Sequence, residues 1–180
     1  MGTALAAHSR TPDAALDALD FDALVSRHQS MVFSIALHYL QDRAAAEELA
    51  QDVFFQLHRH LERLQSDEHA TFWLRRVTAH RCIDYRRRRQ IRGLSLDTVR
   101  EPVQVSPSHD PLLARRLRAL VAELPSRARI AVVLRYQEDL TPDEIARVLD
   151  RPVATVKSQL QRALKTLRAR AMHLVGDSRP

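Results

Sequence analysis

The sequence predicts an all-α protein made of two small helical domains joined by a flexible linker. Only three glycines occur in 180 residues and aromatic residues make up 5%, a composition that favours helices. Apolar residues recur at helical spacing before and after a segment that has Gly93, three prolines and no helical period. Because a structureless segment of about 20 residues is uncommon inside one compact domain, we place a domain boundary there.

The helical spacing indicates where individual helices lie. In the first domain, the residues from Phe21 to Tyr39 fit one or two helices, and further helices are expected over about 46–61 and 70–89. Pro125 separates the first two helices of the second domain and can be the first residue of the second of them. The helices expected in the second domain cover 112–124, 126–137, 142–149 and about 153–174.

These patterns divide the chain into five parts. The N-terminal tail is Ala- and Asp-rich and is expected to be mobile. The predicted parts are the tail 1–19, the first helical domain 20–90, the linker 91–111, the second helical domain 112–174 and a C-terminal tail 175–180.

Several classes of protein are excluded by composition and motifs. The single cysteine, Cys82, rules out an internal disulfide and a Cys-based zinc site, and we expect it to be half-buried on a helix. His58 and His60 are two residues apart, so they diverge on a helix, and surface histidines are a better interpretation than metal ligands. Motifs for hydrolases and phosphate-binding loops are missing, which predicts no enzyme, metal or cofactor. No stretch reads as a secretory signal or a membrane span, so a cytoplasmic protein without membrane insertion is expected.

Charge is unevenly distributed along the chain, whose net charge is +6. Residues 1–68 carry 11 acidic residues and five arginines, whereas residues 69–92 carry eight arginines and one acid. Residues 112–180 carry 14 basic and seven acidic residues. Two separate basic surfaces and an acidic part suit a protein that touches DNA at two places and another partner elsewhere.

A helix-turn-helix is the strongest local pattern. The sequence from Thr141 to Glu144, TPDE, has the Thr, Pro and Glu of a capping box, which predicts the helix that follows. After a turn at 150–152, a second helix carries five basic residues and no acid from Val153 to Arg170. Such a helix suits the major groove of DNA. The alternative is an ordinary helical hairpin with a solvated basic face.

An arginine-rich helix ends the first domain. It also contains Trp73, His80 and Tyr85. Arginines bind phosphates and aromatic rings stack on unpaired bases, so the mixture suits partly single-stranded DNA. For each aromatic residue taken singly, including Trp73, burial in the core is the stronger interpretation, whereas the arginine cluster as a whole favours phosphate contact.

Together these segments resemble the extracytoplasmic-function (ECF) type of bacterial RNA polymerase sigma factor. The sequence AEELAQDVF at 46–54 resembles the segment of region 2 that binds core polymerase. Trp73-Leu74, followed by IDYRR at 83–87, resembles the segment that recognises and melts the −10 promoter element. Leu124-Pro125 and then residues 140–162, with TVKS at 155–158, resemble region 4, which reads the −35 element.

The resemblance covers 21–89 and 112–171, and it departs from the family at a few positions. His80 stands where many members have Asn, and Asp150 and Pro152 stand where Gly and Ser are common. The resemblance implies that the first domain is a region 2 bundle and the second a region 4 helix-turn-helix.

The resemblance implies three sets of binding residues. The set for core polymerase is Glu47, Glu48, Gln51, Asp52 and Phe54. The set for the −10 element is Trp73, Arg75, Arg76, His80, Asp84, Arg86, Arg87 and Arg88. The set for the −35 element is Thr155, Lys157, Ser158, Gln161, Arg162 and Lys165.

The implied partners are core RNA polymerase, promoter DNA (duplex at −35 and partly single-stranded at −10) and an anti-sigma factor. The implied function is to direct polymerase to promoters without catalysis. The main alternative is a stand-alone helix-turn-helix transcription regulator, which explains the C-terminal domain but leaves the acidic segment at 46–54 and the Trp/Arg helix without a role.

Overall fold

The computed structural model describes residues 20–91 and 111–176, which form seven α-helices and one short 3-10 turn. The all-α prediction is confirmed. The N-terminal half consists of α1 (Phe21–Leu40), α2 (Arg43–His60), the 3-10 turn Leu61–Arg63 and α3 (Asp67–Ile91). The C-terminal half consists of α4 (Pro111–Ala122), α5 (Ser126–Tyr136), α6 (Pro142–Leu149) and α7 (Val153–Gly176).

The helix boundaries refine the sequence prediction at a few places. The first apolar stretch forms one continuous helix, α1. Pro125 is the N-cap of α5, not its first residue, because its ψ of 143° is extended and the helix begins at Ser126. Helix α7 continues two residues past the predicted end of its domain. The predicted tail 1–19, the linker residues 92–110 and residues 177–180 lie outside the described residues.

A connection of two residues turns the chain from α1 into α2. Gln41 adopts the left-handed conformation, with φ of 57°, and its backbone N–H donates to the Leu37 carbonyl, which closes the end of α1. Asp42 then caps α2 because its side chain accepts a hydrogen bond of 3.0 Å from the Ala45 N–H. The short connection holds α1 and α2 side by side, and both pack against α3.

The apolar core runs through both halves of the molecule. Ile35 and Leu74 in the N-terminal half are fully buried, as are Ile130 and Val156 in the C-terminal half. All four belong to one continuous cluster of buried side chains. Helices α1 and α3 pack directly against α5, and α3 also packs against α6. In this conformation the two halves therefore share one core, a relationship that helical periodicity does not predict.

Cys82 is fully buried, so the expectation of a half-buried residue was wrong. It lies on the face of α3 that carries other small or apolar buried residues, including Thr78 and Ala79. Burial raises the pKa of the Cys82 thiol, which keeps it protonated and unreactive. In residues 20–91 and 111–176, no helix is long and apolar enough to cross a membrane.

Candidate protein and nucleic-acid interfaces

Helix α2 presents an acidic face to solvent. Glu47, Glu48, Gln51 and Asp52, which the sequence analysis gave as polymerase-binding residues, are all exposed. Glu47 is partly neutralised by Arg43, whose Nε lies 2.9 Å from the carboxylate one helical turn away. The carboxylates of Glu48 and Asp52 have no such ion pair among the described contacts, so they remain available to a basic partner.

The aromatic residue on this face is Phe55, which the sequence analysis missed. The predicted Phe54 is half-buried and packs against the core, whereas Phe55 is 58% exposed. The guanidinium of Arg59 lies 4.4 Å above the Phe55 ring. Helical spacing could have found Phe55, because Glu48, Asp52 and Phe55 follow one another at intervals of four and three residues.

Three of the predicted −10 arginines of α3 point towards the C-terminal half. Arg75 forms an ion pair of 3.3 Å with Glu138, which lies in the loop after α5. Arg76 donates a hydrogen bond of 3.2 Å to the Arg147 carbonyl oxygen of α6. Arg86 donates to the Leu124 carbonyl oxygen at 3.4 Å. Arg75 and Arg86 share a face of α3 because 11 residues return the helix to within about 20° of the same direction.

The Arg75–Glu138 pair lies in a partly desolvated place. The side chain of Glu138 is only 9% exposed and that of Arg75 is 26% exposed. Burial raises the pKa of Glu138, and the nearby guanidinium of Arg75 only partly opposes this effect. Desolvation of the carboxylate therefore affects its pKa more than the attraction to Arg75 does, so this ion pair is weak evidence that the contact between the halves is stable.

The rest of the predicted −10 set faces solvent or the N-terminal half. Arg87 and Arg88 are exposed, and Arg87 lies 3.5 Å from Asp84 within the same helix. Trp73 is partly buried against the core, and its ring centroid lies 5.4 Å from that of His60. His80 is half-buried, and its Nδ1 lies 2.8 Å from the Arg76 carbonyl oxygen.

The helix-turn-helix is built as the sequence predicts. The Thr141 hydroxyl accepts a hydrogen bond from the Glu144 N–H, and the Glu144 carboxylate accepts one from the Thr141 N–H, which completes the capping box. These hydrogen bonds lower the pKa of Glu144. Asp150 ends α6 in the left-handed conformation, with φ of 54°. In the tight turn that follows, the Arg151 N–H donates to the Ala146 carbonyl oxygen at 2.9 Å.

Helix α7 places the predicted −35 set on an open surface. Lys157, Ser158, Gln161, Arg162 and Lys165 are exposed, and Thr155 is half-buried. Val156, Leu160 and Ala163 on the opposite side are buried. The Nε of Arg162 donates to the Ser158 carbonyl oxygen at 3.2 Å. A polar face of this kind can lie in a major groove.

Two further contacts join the halves, and the sequence analysis did not find them. Arg129 of α5 is 3% exposed and donates to the Tyr39 carbonyl oxygen at 3.0 Å. The Gln41 side-chain amide donates to the Arg118 carbonyl oxygen at 2.7 Å. Burial lowers the pKa of His38 beside this contact, and the charge of Arg118 lowers it further. In both contacts a side chain donates to a backbone carbonyl that is distant in the chain. Because every residue has such a carbonyl, these contacts leave no pattern in the sequence.

Metal-binding side chains do not gather anywhere in the described ranges: no group of three or more His, Cys, Asp or Glu residues there could hold an ion. His58 packs edge-on against Phe21, with ring centroids 5.2 Å apart, and His60 packs on Trp73. These rings have packing roles in the N-terminal half.

Comparison with known proteins places both halves in one family. Residues 24–92 match the Sigma-70 region 2 family, and residues 114–167 match the Sigma-70, region 4 family. The chain is 32% identical over 157 residues to the ECF RNA polymerase sigma factor SigE of Mycolicibacterium smegmatis, covering 82% of this chain and 60% of that protein. It is 28% identical over 171 residues to the probable RNA polymerase sigma factor RfaY of Xanthomonas campestris, covering 89% of this chain and 43% of that one. The chain thus spans less than two thirds of either relative.

A solved structure has the same fold. The sigma factor RpoE, in its co-crystal structure with the anti-sigma factor NepR from Bartonella quintana, superposes with a TM-score of 0.70. The match covers 89% of this chain and 99% of that one at 16% sequence identity. The two family matches fall in the order region 2 then region 4, on the two helical halves seen in the structure. The chain therefore belongs to the sigma-70 factors of RNA polymerase, and to their ECF type.

Proposed function

We propose that this chain binds core RNA polymerase and directs promoter-specific initiation of transcription in the cytoplasm. The observation that carries the proposal is the separation of three chemically different surfaces: the acidic face of α2, the arginine-rich helix α3 and the basic face of α7. The order of the two family matches agrees with the assignment of these surfaces to separate binding partners.

The acidic face of α2 is the surface proposed to dock on the polymerase. Glu48, Gln51 and Asp52 are exposed on a helix whose other side packs against α1. Exposed Phe55 adds an apolar centre, which suits a protein interface better than a DNA contact. Carboxylates repel DNA phosphates, so this face needs a basic protein partner.

The two basic helices are proposed to read the two promoter elements. On α7, Gln161 can contact a base edge, while Lys157 and Arg162 can contact phosphate or guanine. On α3, Arg75, Arg76, Arg86, Arg87 and Arg88 are proposed to hold the −10 backbone, with His80 beside an unstacked base. Trp73, half-buried on His60, is proposed to support this helix from the core side.

The chain is further proposed to act without catalysis and without a cofactor, its part in transcription being recognition alone. An anti-sigma factor is proposed as a second protein partner. The support is the likeness in fold to RpoE, which was solved with the anti-sigma factor NepR.

The test is reconstitution of the purified chain with bacterial core RNA polymerase. Co-elution in gel filtration measures docking, and run-off transcription from genomic promoter fragments measures initiation. Stable co-elution with new transcripts that depend on the chain is the expected result, and the start sites then define the −10 and −35 sequences. A chain that binds duplex DNA but ignores core polymerase is instead a stand-alone regulator, and the role of Glu48, Gln51 and Asp52 is withdrawn.

A further inference from the structure

Arg81 of α3 has no part in the binding surfaces proposed above, and the structure gives it a partner on α2. Its Nη2 and Nε lie 2.5 and 2.8 Å from one atom of the Gln56 side-chain amide. Because a guanidinium can only donate hydrogen bonds, that atom is the amide oxygen. Gln56 therefore accepts two hydrogen bonds from Arg81, and this contact ties α2 to α3.

The contact sets Arg81 apart from the arginines that follow it on α3. A guanidinium binds a phosphate best through two N–H groups along one edge. In Arg81 the Nε–Nη2 edge is occupied by Gln56, and both side chains are half-buried, whereas Arg87 and Arg88 are exposed. Arg81 is thus placed as a contact between two helices.

Beside this contact, α2 and α3 enclose a groove of about 50 Å³. Arg81 lines the groove together with three carboxylates, those of Glu48, Asp52 and Asp84. Carboxylates gathered around one groove repel one another, and a guanidinium held among them reduces that repulsion. Arg88 also lines the groove, but it is exposed, so solvent screens its charge more strongly.

Gln56 lies on the same stretch of α2 as two residues of the proposed docking surface. Glu48, Asp52 and Gln56 follow one another at intervals of four residues, so they lie one above the other along the helix. The hydrogen bonds to Arg81 therefore hold the strip of α2 from which Glu48 and Asp52 project. Without these bonds α2 is free to turn or move away from α3, which changes the direction of both carboxylates.

We infer that Arg81 is a positioning residue for polymerase docking: held by Gln56, it fixes the direction of the Glu48 and Asp52 carboxylates and makes no contact with promoter DNA. The inference rests on the proposed function, because that function makes the acidic face of α2 the docking surface. It gives a basic residue a supporting role in an acidic interface.

The experiment measures the affinity of full-length variants for core polymerase by fluorescence anisotropy, with a fluorophore on the N-terminal amine. Arg81→Gln and Gln56→Leu remove the contact from either side. Gln56→Glu keeps an oxygen acceptor for Arg81 and serves as the conservative rescue. Arg63→Gln removes the same charge as Arg81→Gln from an exposed position in the 3-10 turn, outside the groove. Circular dichroism and urea unfolding verify that each variant is folded.

The direction of the change distinguishes positioning from a simple effect of charge. Removing a positive charge near a face that binds a basic partner should strengthen docking if charge alone matters. Arg81→Gln and Gln56→Leu should instead weaken docking roughly tenfold, at the lower end of what a hydrogen bond to a charged group contributes. Gln56→Glu should stay within about twofold of wild type, and Arg63→Gln should bind as tightly as wild type or more tightly.

Two further readings separate this role from a general loss of stability and from DNA binding. Displaced carboxylates form fewer ion pairs with the partner, so docking of Arg81→Gln should depend less steeply on salt than that of wild type. At saturating core polymerase, a fluorescent single strand carrying the −10 sequence found by start-site mapping should bind Arg81→Gln and Arg63→Gln equally well.

Other results overturn the inference. If Arg81→Gln and Gln56→Leu dock as tightly as wild type or more tightly, the contact does not position the carboxylates, and the proposed function still stands. Failure of folded Gln56→Glu to dock shows that an acceptor for Arg81 is not what docking requires. Weaker single-strand binding by Arg81→Gln than by Arg63→Gln makes Arg81 a DNA contact. A wild-type chain that does not bind core polymerase refutes the proposed function, and this role with it.

Discussion

The guanidinium of Arg129 donates a hydrogen bond of 3.0 Å to the backbone carbonyl oxygen of Tyr39, and both residues are buried where α5 meets the end of α1. The Arg129 guanidinium also lies 5.6 Å from the centre of the Tyr39 ring. This arrangement brings a permanent charge into the interior and pairs one of its N–H groups with a carbonyl at the end of α1.

Arg129→Met should destabilise the protein, because it keeps the apolar stem but removes the donor to the Tyr39 carbonyl. A hydrogen bond to a charged group contributes about 1.5–3 kcal/mol, and we expect a loss of free energy of unfolding in that range. Urea denaturation followed by circular dichroism measures it. Arg127→Met, at an exposed position on the same helix, should change the free energy by less than about 0.5 kcal/mol. Equal midpoints of urea unfolding for wild type and Arg129→Met would show that the Arg129–Tyr39 hydrogen bond does not stabilise the fold.

Thr141→Ala should weaken the start of the helix-turn-helix, because the hydroxyl is the acceptor for the Glu144 N–H. Loss of an N-cap side chain costs about 0.5–2 kcal/mol of stability. Thr141→Ser keeps the hydroxyl and serves as the matched control, with a midpoint of urea unfolding close to that of wild type. Equal midpoints for Thr141→Ala and Thr141→Ser would show that the hydroxyl of the capping box does not contribute to stability.

The capping box also predicts that the stability of the protein depends on pH. The hydrogen bonds from Thr141 lower the pKa of Glu144 below its ordinary value of 4.5. A carboxyl whose pKa is lowered by folding contributes stability above its unfolded pKa, and that contribution is lost as the pH falls through the folded pKa. The difference in stability between wild type and Thr141→Ala should therefore narrow in the acid range below pH 4.5. A difference that stays constant down to the acid unfolding of both proteins would argue against the Glu144 contribution.

The sequence predicted the local features of this fold better than the contacts between its halves. The capping box at Thr141 is formed by four consecutive residues, so its pattern is readable without a structure. The Arg129–Tyr39 and Arg86–Leu124 contacts join residues that are distant in the chain, and an arginine that donates to a carbonyl looks the same in sequence as one exposed to solvent. For this reason the arginines of α3 were predicted as a single basic surface, whereas the structure divides them between an inner face and a solvent face.

The burial of individual side chains was predicted less well: the exposed Phe55 was missed, and the expected depth of Cys82 was wrong. The sequence analysis gave Phe54 as a polymerase-binding residue and did not consider Phe55. Which side chains of α2 are exposed depends on where α1 and α3 pack. Cys82 was expected to be half-buried, and a single cysteine on an arginine-rich helix gives no periodic signal of its own. The structure buries it completely, on a helix that packs against α1, α2, α5 and α6.

Asp52→Arg should abolish docking on core polymerase while leaving the fold intact, because Asp52 is exposed on the acidic face of α2. Placing a like charge against a basic partner costs several kcal/mol of binding. Co-elution with core polymerase measures the loss, and circular dichroism verifies folding. Glu62→Arg makes the same change of charge at an exposed position outside the proposed face and should bind normally. Equal binding by Asp52→Arg and wild type would remove α2 from the polymerase interface.

Arg162→Ala should weaken binding to the −35 duplex by roughly 1–3 kcal/mol if its guanidinium reads a base, and should relax the preference at that base pair. Arg168→Ala removes the same charge from an exposed position on α7 outside the proposed set. It should lower affinity only through the general attraction to phosphate, equally for all sequences. Fluorescence anisotropy at fixed salt measures both variants. Identical losses for the two variants, without a change in base preference, would reduce Arg162 to a phosphate contact.

The Cys82 thiol should be inert in the folded protein, because it is completely buried and its pKa is raised by that burial. Ellman's reagent should therefore react with it only as fast as the surrounding helices open, and immediately in concentrated urea. The reaction rate should rise in Glu138→Lys, which places a positive charge against Arg75, if separation of the halves uncovers one side of α3. It should stay at the wild-type rate in Glu123→Lys, which carries the same change of charge but breaks an ion pair with Arg170 within the C-terminal half. Rapid reaction of the native wild-type chain would show that the packing around α3 is looser than this structure indicates. Separation of the halves would then not limit access of the reagent to the thiol.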